Sequence, residues 1–291
     1  MEGIGGVAVA TITPFKSGGD EIDYGMIEKH LELIGREGAH GIVPAGTNGE
    51  FPSLTLDEKK KVLEVAAAAR GNMYMIAGCG SCSLPEVLDL VSFAQDSGAD
   101  AALVVPPFYF RDAGEDGIIS FYRRVLSATS LPIVLYSIPM YSGLAISDRM
   151  IESLLDHGNL SGIKDSGGDP ARTRELIGRY PQLKIFGGSD SLAGEAVAGG
   201  AAGLISGVAN AFPGLIRDLW EARGGRGDAA AVGRKVSDVR KVLAAFPWVA
   251  ATKAALELKG LPESHVRPPL LDLTGKQKEE LKAALAELGV V

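Results

Sequence analysis

The chain has 291 residues, of which 46% are hydrophobic and 22% are charged. These values are typical of a globular protein with a large core, and the length allows one large α/β barrel or two smaller domains. A net charge of −7 without a long basic cluster argues against a nucleic-acid partner. No apolar segment approaches membrane-spanning length, and the N-terminus lacks the pattern of a signal peptide, so we expect a cytoplasmic protein that does not bind a membrane.

Short β-branched segments alternate with longer amphipathic segments along most of the chain. The short segments predict strands at residues 7–12, 41–45, 73–78, 101–105, 133–138, 161–164, 184–187 and 203–206. The segments between them predict helices near 24–37, 56–70, 84–97, 115–128, 147–156, 170–179, 190–199 and 213–223. Capping signals mark three helix starts, at Thr55 with Glu58 three residues on, at Ser147 and at Asp169.

This alternation predicts parallel strands joined by right-handed crossovers, and eight such units predict a (β/α)8 TIM barrel. We expect the catalytic barrel over 1–223 and a C-terminal helical extension over 224–291. A Gly/Arg-rich stretch at 223–227 separates the two, and prolines divide the extension into three helices between about 228 and 289. A doubly wound sheet is the alternative, but its glycine-rich turn is missing, because the nearest match at 3–6 precedes the first strand.

Two strand ends carry side chains that suit covalent catalysis. Lys164 ends one apolar strand and Tyr136 ends the strand before it. Burial disfavours a charged ammonium, and a neutral amine forms a Schiff base with a 2-oxo acid. A neighbouring phenol would move the protons. The alternative is that Lys164 is solvated and that Tyr136 is an ordinary core residue.

The remaining strand ends supply hydroxyls, a second phenol at Tyr109 and glycine-flanked backbone, without a histidine or a pair of carboxylates. This set suits imine chemistry on a keto acid and does not suit metal-dependent hydrolysis or glycoside cleavage. Cys79 and Cys82 have Cys-x-x-Cys spacing, but there is no second cysteine pair and the four histidines show no paired ligand spacing. We therefore expect neither a metal nor an organic cofactor, since the lysine itself supplies the electron sink.

Three motifs together resemble those of the dihydrodipicolinate synthase / N-acetylneuraminate lyase family of pyruvate-handling barrels. They are GTNGE at 46–50, YSIPMYSG at 136–143 and GIKDSGGD at 162–169. Each is weak alone, but their order and intervals match the family, and the resemblance covers roughly residues 5–289.

The resemblance implies a role for several residues. Lys164 would form the Schiff base with pyruvate, and Tyr136 would shuttle protons. Tyr109 would relay protons into the active site of a neighbouring subunit, in a homotetramer. Thr47 and Asn48 would bind the pyruvate carboxylate, with Thr47 also a catalytic candidate. The further candidates for substrate binding are Tyr141, Ser166, Gly188, Ser189 and the backbone carbonyl of Ile205.

Departures from the synthase pattern narrow the implied activity. The synthases usually place an arginine where this chain has Tyr141, and the two side chains are not equivalent for binding a carboxylate. Asn48 stands where the synthases commonly have threonine. The chain looks most like the 4-hydroxy-2-oxoglutarate aldolases, with the 2-keto-3-deoxy sugar-acid aldolases close to them.

The expected activity is thus class I cleavage or formation of a bond between pyruvate and an aldehyde. One alternative is 4-hydroxy-tetrahydrodipicolinate synthase, which condenses pyruvate with aspartate semialdehyde. Another is a non-catalytic keto-acid-binding barrel. Purely structural alternatives exist for single residues: Thr47 and Asn48 could only form a turn, and Ser166 with Asp169 could only cap a helix.

Overall fold

The computed structural model describes residues 3–225 and 227–291. Within these residues, eight parallel strands close into a barrel in chain order, with helices between them and further helices at the C-terminus. This confirms the predicted TIM barrel with a helical extension. Met1 and Glu2 at the N-terminus, and Arg226 within the predicted boundary at 223–227, lie outside the described residues.

The strands are β1 Gly6–Val9, β2 Gly41–Ile42, β3 Tyr74–Gly78, β4 Ala101–Val104, β5 Ile133–Ser137, β6 Leu160–Asp165, β7 Lys184–Gly187 and β8 Gly203–Ser206. The helices of the barrel are α1 Tyr24–Arg36, α2 Leu56–Ala69, α3 Leu84–Asp96, α4 Gly114–Ser127, α5 Pro139–Ser142, α6 Asp148–Glu152, α7 Pro170–Arg179, α8 Ala193–Ala198 and α9 Pro213–Ala222. The helices of the extension are α10 Ala229–Ala244, α11 Trp248–Leu258 and α12 Gly275–Glu287.

The first two strands are shorter than the sequence predicts. After β2, Pro44 has no amide hydrogen and Ala45 has φ of +54°, so the chain turns out of the sheet. After β1, the amide of Ile12 bonds to the side chain of Asn210 at 3.0 Å and no longer to a neighbouring strand. Both strands therefore end early and give way to loops at the mouth of the barrel.

The predicted helix caps are confirmed, whereas three helices differ from prediction. Thr55 and Glu58 form a reciprocal capping box, and Ser147 and Asp169 each accept a hydrogen bond from a backbone amide in the first turn. The helix predicted at 147–156 ends at Glu152. The helix predicted at 190–199 divides into a 3-10 turn at Asp190–Leu192 and then α8. The short helix α5, within the YSIPMYSG motif, was not predicted.

Strand side chains alternate between two cores. One set fills the inside of the barrel and the other packs against the surrounding helices, as expected for a closed parallel sheet. The inner core includes Ala8, Ile76, Leu103, Val134 and Phe186. Tyr136 belongs to the inner core as well, so its ring lies inside the barrel.

The extension is joined to the barrel by a buried ion pair. Lys253 of α11 donates to Glu50 of the GTNGE motif at 2.5 Å, and both side chains are 1% exposed. Lys253 also donates to the carbonyl of His265, and Glu50 also accepts from the amide of Arg267. Breaking such a pair would leave a buried charge without a partner, which is costly. The ion pair therefore fixes α11 on the loop that follows β2.

Among the described helices, none combines the length and the apolar character needed to cross a membrane.

Candidate active site

A cavity of about 280 Å³ opens at the carboxyl ends of the strands, where the chemistry of TIM barrels gathers. It brings together nine of the ten predicted site residues, namely Thr47, Asn48, Tyr136, Tyr141, Lys164, Ser166, Gly188, Ser189 and Ile205. Other lining residues include Met140, Asp190, Ser191, Arg240 and Trp248. Their roles stay predictions, but their proximity gives the site a definite shape.

Lys164 and Tyr136 are neighbours because of strand register. They are direct partners across β6 and β5, so their side chains point to the same side of the sheet. The Nζ atom of Lys164 lies 4.2 Å from the centre of the Tyr136 ring. Both residues are 4% exposed, and no ion pair among the described residues includes Lys164. A buried amine thus lies beside a phenol at the carboxyl ends of two neighbouring strands.

The GTNGE motif forms a tight turn beside this pair. The hydroxyl of Thr47 lies 3.3 Å from the hydroxyl of Tyr136. Asn48 accepts a hydrogen bond from the indole of Trp248 at 2.8 Å. Glu50 has φ of +55° and points away from the cavity to the buried ion pair with Lys253. The turn therefore presents one hydroxyl and one amide to the site and is anchored from behind.

On the other side of Lys164, the loops after β6 and β7 approach very closely. A Cβ atom added to Gly188 would lie 2.1 Å from the Ser166 hydroxyl oxygen and 3.0 Å from Cε of Lys164. Only glycine leaves space for both side chains here. The Ser166 hydroxyl is buried and has no hydrogen-bond partner among the described residues. A buried hydroxyl without a partner is costly, so it is available to a ligand.

Asp190 lies in the cavity wall but is occupied by its own loop. One carboxylate oxygen accepts from the hydroxyl of Ser206 at 2.5 Å, and the other accepts from the amides of Gly207 and Val208 at 3.0 Å. Burial raises the pKa of this carboxyl, and the three hydrogen bonds oppose that rise. Asp190 therefore holds the loop after β8 in place.

Arg240 and Trp248 come from the extension, and sequence reasoning missed both. Arg240 of α10 stacks on the ring of Trp248, with its guanidinium carbon 3.9 Å from the ring centre. An arginine on an amphipathic helix gives no local signal of a site. A tryptophan just after Pro247 was the only available hint, and it does not specify which surface the ring covers.

Tyr109 is the predicted site residue that does not line the cavity. It is 78% exposed and packs edge-on against Phe110, with ring centres 5.3 Å apart. Tyr141 does line the cavity and is 55% exposed. In a single chain, Tyr109 therefore reaches neither Thr47 nor Tyr136.

No group of three or more His, Cys, Asp or Glu side chains is placed to hold a metal ion within the described part of the chain. Cys79 is buried, and burial raises the pKa of its thiol to about 12. This cysteine is an inert core residue at neutral pH.

Comparison with known proteins identifies the family. The sequence model of the dihydrodipicolinate synthetase family matches residues 3–288 of this chain. The chain belongs to the dihydrodipicolinate synthetase family. Its members are lyases and synthases, and this protein is an enzyme of that kind.

Individual relatives of this family match over nearly their full length. The chain is 39% identical to an uncharacterized DapA-like lyase of Chloroflexus aurantiacus, covering 96% of this chain and 95% of the relative. It is 36% identical to the 4-hydroxy-tetrahydrodipicolinate synthase of Rhodospirillum centenum, covering 98% of this chain and 99% of the relative. Among solved structures, it resembles YagE of E. coli, a family member in complex with pyruvate, with a TM-score of 0.93, 27% identity and 99% coverage of both chains.

Proposed function

We propose that this protein is a class I lyase that cleaves or forms a carbon–carbon bond between pyruvate and an aldehyde. The observation that carries the proposal is the buried amine of Lys164 beside the phenol of Tyr136, at the mouth of a barrel whose cavity they share. Structures of two family members in complex with pyruvate, one of them a synthase of Acinetobacter baumannii, support pyruvate as the keto acid.

The proposed reaction runs through an imine on Lys164. The amine attacks the ketone carbon of the 2-oxo acid, and loss of water gives an iminium. The electron pair of the C3–C4 bond moves into this iminium as Tyr136 accepts the proton of the C4 hydroxyl. An aldehyde leaves, the enamine of pyruvate takes up a proton at C3, and water releases pyruvate from Lys164. Thr47, 3.3 Å from the Tyr136 hydroxyl, passes protons on.

The 2-oxo acid's carboxylate is proposed to lie between the GTNGE turn and the loop after β6. Thr47 and Asn48 offer donors on one side, and the unpartnered hydroxyl of Ser166 offers one on the other. Gly188 and Ser189 complete this side of the cavity, and Ile205, whose backbone carbonyl is the proposed contact, lines the same cavity.

The proposed substrate is 4-hydroxy-2-oxoglutarate or a 2-keto-3-deoxy sugar acid. Tyr141 lines the cavity where the synthases would hold an arginine. A phenol cannot form the two parallel hydrogen bonds by which a guanidinium binds a carboxylate. The alternative is 4-hydroxy-tetrahydrodipicolinate synthase, which the names of several relatives support. A non-catalytic binding barrel is disfavoured, because binding alone requires neither Lys164 nor Tyr136.

A substrate panel tests the proposal. Pyruvate release from 4-hydroxy-2-oxoglutarate and from a 2-keto-3-deoxy sugar acid is compared with dihydrodipicolinate formation from pyruvate and aspartate semialdehyde. We expect aldol cleavage to be faster, and Lys164→Ala to fold but lose turnover. Robust dihydrodipicolinate formation without aldol cleavage would establish the synthase alternative.

Four further expectations accompany this function. The enzyme acts in the cytoplasm and needs no metal or organic cofactor. It assembles as a homotetramer in which Tyr109 serves a neighbour. The barrel at 1–223 and the extension at 224–291 act as one catalytic unit, since Arg240 and Trp248 of the extension line the cavity.

A further inference from the structure

Arg240 is a cation in the cavity that the proposed reaction does not use. It lies on α10 and lines the cavity together with Lys164 and Tyr141. Its guanidinium stacks on Trp248, which in turn donates to Asn48 of the GTNGE turn. This contact with the Trp248 ring holds the guanidinium at the cavity wall.

The guanidinium of Arg240, a half-buried residue, has one buried donor without a partner. Its Nη1 atom is buried and has no hydrogen-bond partner among the described residues. The ion pairs formed by the described residues do not include Arg240. Arginine remains charged in proteins, and leaving a buried donor of a charged group unsatisfied is costly. A bound anion would remove that cost.

The nearby groups of the cavity do not supply this anion. Asp190 attracts Arg240 electrostatically, but its oxygens are engaged by Ser206, Gly207 and Val208. Burial lowers the pKa of Arg240 and raises that of Asp190, the direction expected for two groups that are desolvated without a direct pair. Asp190 thus adds to the local field without satisfying the guanidinium.

The geometry points to Arg240 as the group that binds a second carboxylate of the substrate, additional to the one beside the keto group. This inference rests on the proposed function and selects among its substrates: 2-oxo dicarboxylates such as 4-hydroxy-2-oxoglutarate, in preference to sugar acids with a neutral end. Among the described residues that line the cavity, the cationic side chains are Lys164 and Arg240. One guanidinium matches the single charge of a carboxylate, with which it forms two parallel hydrogen bonds.

The size of the cavity agrees with this substrate class. Its volume of about 280 Å³ lies just below the usual range of small-molecule sites, roughly 300–1,000 Å³. A five-carbon dicarboxylate is a small ligand whose two charged ends need separate partners. Arg240 on the extension, and the donors around Lys164 on the barrel, provide two such places.

Competition with pyruvate in the wild-type protein tests the inference directly. Borohydride trapping of pyruvate is measured in the presence of 2-oxoglutarate or of 2-oxopentanoate, which has the same carbon chain but ends in a methyl group. We expect 2-oxoglutarate to compete at a concentration at least about 10-fold lower, the effect of one hydrogen bond to a charged group. Equal competition would overturn the role of Arg240.

Variants assign the preference to Arg240. R240Q should weaken competition by 2-oxoglutarate by about 10- to 100-fold and leave competition by 2-oxopentanoate unchanged. R240K keeps the charge but loses the paired donors of the guanidinium, so its competition by 2-oxoglutarate should be intermediate. R234Q, at an exposed position of the same helix, is the matched control and should behave as wild type.

The outcomes separate this inference from the proposed function. A wild-type protein that traps no pyruvate contradicts the proposed function. A protein that traps pyruvate without preferring the dicarboxylate contradicts only the inference on Arg240. If R240Q weakens competition by both keto acids equally, Arg240 only supports the shape of the cavity. That result would also overturn the inference on Arg240. If R240Q does not fold, R240K and the wild-type comparison decide.

Discussion

At the scale of single residues, the site depends on close packing around Lys164. The Lys164 side chain lies between the ring of Tyr136 and the loop that contains Gly188. An amine that attacks a ketone must be held in one place, since misplacement by about 1 Å can cost about 100-fold in rate. The absent side chain at Gly188 is therefore part of the active-site geometry.

Gly188→Ala tests this packing. The new Cβ would meet the Ser166 hydroxyl at 2.1 Å and Cε of Lys164 at 3.0 Å, so both must move. We expect kcat/KM for aldol cleavage to fall by about 100-fold. Gly178→Ala is the matched control, because a Cβ there meets nothing within 4 Å. It should keep activity and raise the thermal unfolding midpoint, and an equally active Gly188→Ala would contradict the account.

Most of the candidate site could be predicted at this scale. Lys164, Tyr136 and the GTNGE turn sit at strand ends, where residue type and position give a local signal. Arg240 and Trp248 could not be predicted, because their contact with the site depends on how α10 and α11 pack against the barrel. The sequence also gives no sign that the Ser166 and Arg240 donors lack partners.

At the scale of elements, a one-residue register shift places the amine. Ile133 pairs with Leu160, but Val134 pairs with Gly162, so Ser161 is an extra residue in β6. Without this bulge, Tyr136 would pair with Ile163, and Lys164 would point out of the barrel. Sequence patterning predicts both strands but not their register, which is why the pairing of Lys164 with Tyr136 had to come from the structure.

A buried histidine links α1 to the loop after β8. His30 is 1% exposed, and its Nε2 lies 3.2 Å from the carbonyl of Asn210. The Asn210 side chain also bonds to the amide of Ile12 and the carbonyl of Ala10, at the floor of the cavity. Burial lowers the pKa of His30 from 6.5 to about 4. His30 is therefore neutral in the folded protein at neutral pH.

The lowered pKa of His30 predicts a loss of stability in acid. Between about pH 6.5 and 4 the unfolded chain binds a proton that the folded protein does not, so stability falls as pH falls through this window. Its contribution is about 3 kcal/mol over the whole window. Denaturant unfolding from pH 7 to 4 should show a shallower decline in His30→Gln than in His157→Gln, whose ring is partly exposed. Parallel declines in the two variants would refute this assignment.

At the scale of the whole molecule, exposed apolar side chains form a cluster beside the cavity. Tyr109, Phe110, Met140 and Tyr141 are 78%, 64%, 78% and 55% exposed. The loop that carries Tyr109 and Phe110 adjoins helix α5, since Arg111 packs against Gly143 at the end of that helix. An exposed cluster of this kind often marks an interface between proteins. The proposed homotetramer, in which Tyr109 serves a neighbouring active site, would use this cluster as part of its interface.

Tyr109→Phe tests the coupling of assembly and activity. We expect kcat to fall by about 10- to 1000-fold with little change in fold, as for the loss of a proton-relay group. Mixing inactive Tyr109→Phe with inactive Lys164→Ala should restore some activity, because hybrid oligomers would contain a complete site. Demonstrated subunit exchange without recovered activity would mean that Tyr109 does not act across an interface.

The architecture of the whole molecule was predictable, because strand–helix alternation and helix caps are local signals. The residues at which β1 and β2 end could not be predicted. They depend on Pro44, on the backbone of Ala45 and on the distant Asn210. The helix predicted at 190–199 also divides in two, and Asp190 in its first part bonds to the loop after β8. Contacts between distant segments decide these features, and a linear pattern does not contain them.

The central claim is that Lys164 forms a Schiff base with a 2-oxo acid, and peptide mapping after borohydride reduction tests it most directly. The wild-type protein is reduced in the presence of pyruvate, digested and analysed by mass spectrometry, with Lys164→Ala as the control. We predict one reduced pyruvate adduct, located on the peptide that contains Lys164 and absent from Lys164→Ala. An adduct on another lysine, an adduct that persists in Lys164→Ala, or no adduct in the wild-type protein would contradict the account.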